Sequence, residues 1–89
     1  MKSIDIVLTN KLGLHARAAA KLTQLASTFD SEIYITRNSQ RVNAKSIMGV
    51  MMLAAGLGVT VRVDATGDDA SQALEQIASL FNNKFGEAE

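Results

Sequence analysis

Ile4, Ile6 and Leu8 alternate with Ser3, Asp5, Val7 and Thr9, the two-residue period of a strand that buries one face. The period then changes: Leu22, Leu25, Ala26 and Phe29 recur at i, i+3, i+4 and i+7, which predicts an amphipathic helix over 16–29. Ile33 and Ile35 alternate with Glu32, Tyr34 and Thr36, and Asn38-Ser39 supplies turn chemistry before Gln40-Arg41-Val42-Asn43, so this stretch reads as a hairpin. Ser46 is a good cap for a short helix from Ile47 to about Ala54, ended by a left-handed Gly56. Val59, Val61, Val63 and Ala65 alternate with Thr60, Arg62, Asp64 and Thr66 as a fourth strand. Gly67-Asp68-Asp69 then reads as turn and cap, with Gln72 completing a capping box from Asp69. Ala70, Ala73, Leu74, Ile77 and Phe81 form the stripe of a last helix.

The order is βαββαβα. Four half-buried strands with polar alternate positions imply an antiparallel sheet whose apolar face the helices cover, an α/β (α+β) two-layer sandwich. With 89 residues and no linker or repeat, residues 1–89 read as one domain, and Gly86-Glu87-Ala88-Glu89 as a frayed tail.

Composition removes several function classes. With no cysteine, disulfides and thiolate metal sites are excluded, which fits a cytoplasmic protein. One histidine makes no ligand set, so neither metal nor other cofactor is expected. Nine basic and nine acidic residues balance, and one tyrosine with three phenylalanines offers little for base stacking, so nucleic acid is not an expected partner. The N-terminus lacks the apolar core of a signal peptide. The uncharged stretch from Ile47 to Val61 is too short and too glycine-rich to span a bilayer, so membrane insertion is not expected. Gly56-Leu57-Gly58 precedes a strand and lacks a third glycine in register, so it is no dinucleotide fingerprint.

The chemistry concentrates at His15, where a loop becomes a strong helix. The first N–H groups of a helix, here those of Ala16 and Ala18 among them, lack intrahelical partners and form a ready anion site. Arg17 adds a fixed positive charge. That field disfavours an imidazolium and leaves His15 a neutral nucleophile, while histidine's poor capping gives no local reason for its presence. A phosphoryl group on the ring suits such a place. A lone histidine is also commonly a solvated loop residue, and Arg17 a solvated arginine. Lys21 and Lys45 read as ordinary solvated lysines. Ile47, Met48, Val50, Met51, Met52 and Leu53 exceed what one face of a short helix can bury, so part of this cluster is core and part is an exposed docking patch. Gly49 weakens that helix, which a partner's close approach would explain.

Gly13-Leu14-His15-Ala16-Arg17 resembles the phosphorylation motif of the HPr family, the histidine-containing phosphocarriers of the bacterial phosphotransferase system. Val42-Asn43-Ala44-Lys45-Ser46-Ile47-Met48-Gly49-Val50-Met51 is similar to that family's regulatory-serine segment, at the usual distance from the histidine. Ala18 stands where the family usually has proline, and Lys11-Leu12-Gly13 with the tail Leu80–Phe85 looks more like the nitrogen-related branch. The resemblance implies a sheet bare on its second face and a monomeric carrier. His15 would take the phosphoryl group, on Nδ1 in the family, from enzyme I and pass it to IIA proteins, with Arg17 and the N–H groups of Ala16 and Ala18 holding the phosphate. It implies Ile47, Met48 and Met51 as the partner-binding patch and Ser46 as a regulatory site for HPr kinase/phosphorylase. Two other readings stand beside it: a non-catalytic regulatory binding module of the same fold controlled by serine phosphorylation, and a small nucleic-acid-binding domain, disfavoured by the neutral charge.

Overall fold

The alternating segments pair into one antiparallel sheet in the computed structural model, which describes residues 1–89. The chain runs β1 (Lys2–Val7), α1 (Ala16–Ala26), β2 (Glu32–Arg37), β3 (Gln40–Asn43), α2 (Ile47–Met52), β4 (Thr60–Thr66) and α3 (Ala70–Asn82), followed by a 3-10 turn at Lys84–Gly86. The sheet order is β1-β4-β2-β3. Its register aligns Ile4 with Val63, Val63 with Ile35, and Ile35 with Val42, an apolar row across all four strands. The helices cover this face: α3 lies on β1 and β4, and α1 packs against both α2 and α3. Leu22, Ile77, Phe81 and Val50 are fully buried between the layers. Each such large side chain contributes about 1.5–3 kcal/mol by leaving water. No helix is long and apolar enough to cross a membrane.

The structure corrects several local expectations. The first helix ends at Ala26 and not at Phe29, which is buried from the turn beyond. The second helix stops at Met52, and the left-handed residue is Ala54 (φ 50°) instead of Gly56. Arg37 compensates there, its Nη1 donating to the carbonyls of Leu53 (2.9 Å) and Ala54 (2.8 Å). Asp69 does not form a capping box; it caps α3 by position only. Its carboxylate instead accepts from Ser31 Oγ and from the backbone N–H groups of Asp30 (2.9 Å) and Ser31 (3.0 Å), which tie the start of α3 to the α1–β2 turn. The Ser31 hydroxyl above all, then the Asp30 N–H, holds this carboxyl below the usual range.

Asp64, expected on a solvated face, is buried on the side of the sheet away from the helices. Tyr34 lies beside it across β2 and β4, and Arg41 reaches over, its guanidinium 3.9 Å from the Tyr34 ring centre and donating to Asp64 at 3.1 Å.

Candidate functional site

The loop between β1 and α1 is set by two residues. Gly13 is left-handed (φ 64°), and a Cβ there would lie 2.3 Å from the Ala55 carbonyl oxygen, so only glycine fits. The same carbonyl accepts from Leu14 N–H at 2.9 Å. Asn10 is fully buried, and its Nδ2 donates to the Gly13 carbonyl at 2.9 Å. The chain before the histidine is thereby pinned to the segment that follows α2.

His15 is the N-cap of α1 in extended conformation, and its side chain makes no capping bond. Its carbonyl accepts the helix's first bond, from Ala19 N–H at 2.8 Å. The N–H groups of Ala16, Arg17 and Ala18 find no partner in the chain, so three donors and the positive end of the helix dipole sit directly beyond the imidazole. Arg17 is exposed and free of any ion pair, and it lines the same open cleft of about 740 Å³ as His15 and Ala16. This arrangement can take a multiply charged oxyanion: N–H dipoles and a guanidinium supply donors without having to be moved or desolvated far.

The C-terminal segment is not frayed. Glu87 Oε2 is hydrogen-bonded to His15 Nε2, and Glu87 Oε1 accepts from Asn10 Nδ2 at 3.0 Å. The Glu87 side chain is only 14% exposed. The Asn10 bond is the main reason its carboxyl is held below the ordinary value of 4.5; burial opposes this, and the bond to His15 with the nearby positive charge, Arg17's included, adds to the lowering. Lys11 N–H donates to the Glu89 carbonyl at 2.9 Å, which closes the tail over the loop. Asn10 and Glu87 carried no signal in the local pattern, because they are 77 residues apart in the chain.

Lys21 and Lys45 are not simply solvated either. Lys21 Nζ donates to the Phe85 carbonyl at 2.6 Å, and Lys45 Nζ to the Phe29 carbonyl at 2.8 Å. Ser46 caps α2 as expected, its Oγ accepting from Gly49 N–H at 3.1 Å. Gly49 has an internal reason instead of a partner's approach: a Cβ would press on Ser46 Oγ and Val42 Cβ, each at 3.3 Å. Of the apolar cluster, Val50 and Leu53 are core, while Ile47, Met48 (66% exposed) and Met51 face solvent. Met52, Leu12 and Leu57 are exposed as well.

The family model described as the PTS HPr component phosphorylation site matches residues 2–83. The chain belongs to the HPr family. The HPr phosphocarrier of Cupriavidus necator is 55% identical over 85 residues, 96% of each chain. The NPr phosphocarrier of Shewanella violacea is 47% identical, with 94% of this chain and 92% of that one covered. The crystal structure of HPr-C-His from Thermoanaerobacter tengcongensis superposes with a TM-score of 0.96 at 45% identity over the full length of both chains. The βαββαβα sandwich is thus the HPr fold, and His15 and Ser46 fall inside the matched span.

Proposed function

We propose that this HPr-family chain relays a phosphoryl group through His15, receiving it from enzyme I and delivering it to IIA proteins in the cytoplasm. The observation that carries the reading is the histidine held at a helix start whose first three N–H groups are unpaired, with Arg17 beside it and an exposed apolar patch nearby. His15 acts first as nucleophile and then as leaving group. The N–H groups of Ala16 and Ala18 with Arg17 stabilise the phosphoryl oxygens, and positioning does most of the remaining work. Ile47, Met48 and Met51 supply docking energy, methionine adapting to different partner surfaces.

Ser46 is the proposed regulatory site. It is exposed, and a phosphate on its hydroxyl keeps an acceptor for Gly49 N–H while setting charge and hydration beside Ile47 and Met48. Partner binding weakens and the imidazole chemistry is untouched.

The test is incubation with enzyme I and phosphoenolpyruvate, followed by intact-mass measurement. One acid-labile phosphoryl group is expected on the parent and none on His15→Ala. Arg17→Ala folds normally and transfers roughly a hundredfold more slowly, the usual cost of losing one donor to a developing oxyanion. A label that resists mild acid, or that persists on His15→Ala, overturns the assignment.

A further inference from the structure

At the imidazole itself the proposed relay draws on Arg17 and the helix start, yet the fold also brings a carboxylate to the ring's Nε2. Three successive residues, Lys84, Phe85 and Gly86, take positive φ (56°, 56° and 77°), a conformation that costs the two side-chain-bearing residues energy. Phe85 is fully buried against Phe81, their ring centres 4.9 Å apart, and Lys21 grips the Phe85 carbonyl. This turn sends the chain back from the end of α3 to His15. Asn10, buried and with one amide hydrogen bond spent on the Gly13 carbonyl, uses another to fix the Glu87 carboxylate against Nε2.

An ionised carboxylate only accepts, so the nitrogen facing Glu87 carries the proton. His15 Nδ1 makes no hydrogen bond within the chain. From this geometry we infer that Glu87 is a positioning residue for phosphoryl transfer: it holds the neutral His15 ring as the Nε2–H tautomer, with the Nδ1 lone pair free for the incoming phosphorus. The inference rests on the phosphohistidine reading above. In the step, a bond forms between Nδ1 and phosphorus while the bond from phosphorus to the donor's leaving atom breaks, that atom keeping the electron pair. No proton moves. The ring becomes a phosphoryl-imidazolium whose Nε2–H remains on Glu87, and the carboxylate offsets the positive charge the ring has acquired. Delivery to an acceptor reverses these changes.

The chain's single histidine makes the test clean. Ring ¹⁵N shifts of the unphosphorylated, neutral side chain report the tautomer, and single-turnover transfer from phosphorylated enzyme I reports the chemistry. The parent is expected to be almost wholly Nε2–H. Glu87→Ala should give a mixture of tautomers and lower kcat about tenfold with KM unchanged, the scale on which groups that orient a functional histidine act. Glu87→Gln, whose amide oxygen still accepts, should restore the tautomer and part of the rate. Asn10→Ala should shift the tautomer in the same direction as Glu87→Ala. A Glu87→Ala ring spectrum identical to the parent's overturns the proposal, as does a change in KM alone, which would make Glu87 a partner contact. Amide spectra of both Glu87 variants establish that the fold is kept. Failure of the relay itself shows separately, as absence of label on the parent.

Discussion

The two N-caps that matter in this chain are built alike in backbone and oppositely in chemistry. His15 and Ser46 both sit in extended conformation before a helix. Ser46 does what a cap ordinarily does and accepts an otherwise orphaned N–H. His15 turns its side chain to Glu87 and leaves the first N–H groups of α1 unmatched. A serine at that position would contribute about 1 kcal/mol. The 11-residue α1 does without it because Ala18, Ala19, Leu22 and Ala26 bury one whole face. The six-residue α2 buries only Val50 and has no such reserve. The contrast teaches that a helix start held in place by its packing can do without a cap, and on the proposed reading that leaves its N–H groups for the phosphoryl oxygens.

Swapping the chemistry of the two caps gives the largest expected effect. His15→Ser should abolish phosphoryl acceptance completely while adding about 1 kcal/mol of capping, read by intact mass and by urea unfolding. A serine variant that still takes the acid-labile label breaks the comparison at its root. Next, α1 should depend on its packed face and not on its cap: Leu22→Ala should cost about 2–5 kcal/mol. Met48→Glu, on the solvent side of α2, should stay within about 0.5 kcal/mol of the parent yet bind enzyme I more weakly. Comparable destabilisation by both would place Met48 in the core. Third, Ser46→Ala should lower stability by about 1 kcal/mol and leave unregulated transfer nearly as it was. The smallest effect is on the tail. The Glu87 carboxyl titrates below its ordinary value in the folded chain, so its docking is complete above pH 4.5 and is lost as pH falls from there through the lowered folded value. NMR signals of Glu87 and the His15 ring should change together in that interval; independent changes would separate the tail from the site.

The features legible in the sequence were those written in neighbouring residues. The strand alternation of Val61, Val63 and Ala65, the helical stripe through Leu22, the serine cap and the histidine at a helix start are all local patterns, and the sheet and α1 follow from them. Six apolar side chains overfill a short helix, so some had to stay outside, but the pattern did not say which: Val50 and Leu53 fill the core, and Met48, Met51 and Met52 are exposed instead of packing it. What escaped depends on partners far along the chain. Asp64 is buried because Arg41 and Tyr34 meet it on the outer face, Asp69 braces Ser31 instead of its own helix, and Arg37 stabilises the left-handed Ala54. Glu87 is the clearest case. A short polar segment at the end of a chain looks loose, and only the left-handed turn after α3 and the buried Asn10 show where it goes.

The missing side chain at Gly13 sets a tolerance. With the Ala55 carbonyl only 2.3 Å from where a Cβ would be, the loop that carries His15 rests directly on the segment leaving α2, and neither can slide without the other. On the proposed reading, any protein seated on Met48 and Met51 therefore meets the imidazole at one fixed offset, as two parts milled to a common gauge. The gain is that unrelated partners need to match only a single geometry. The corollary of that reading is kinetic: if donor and acceptor share this surface, the cargo changes hands by departure and arrival, in strict alternation, never within a three-protein assembly.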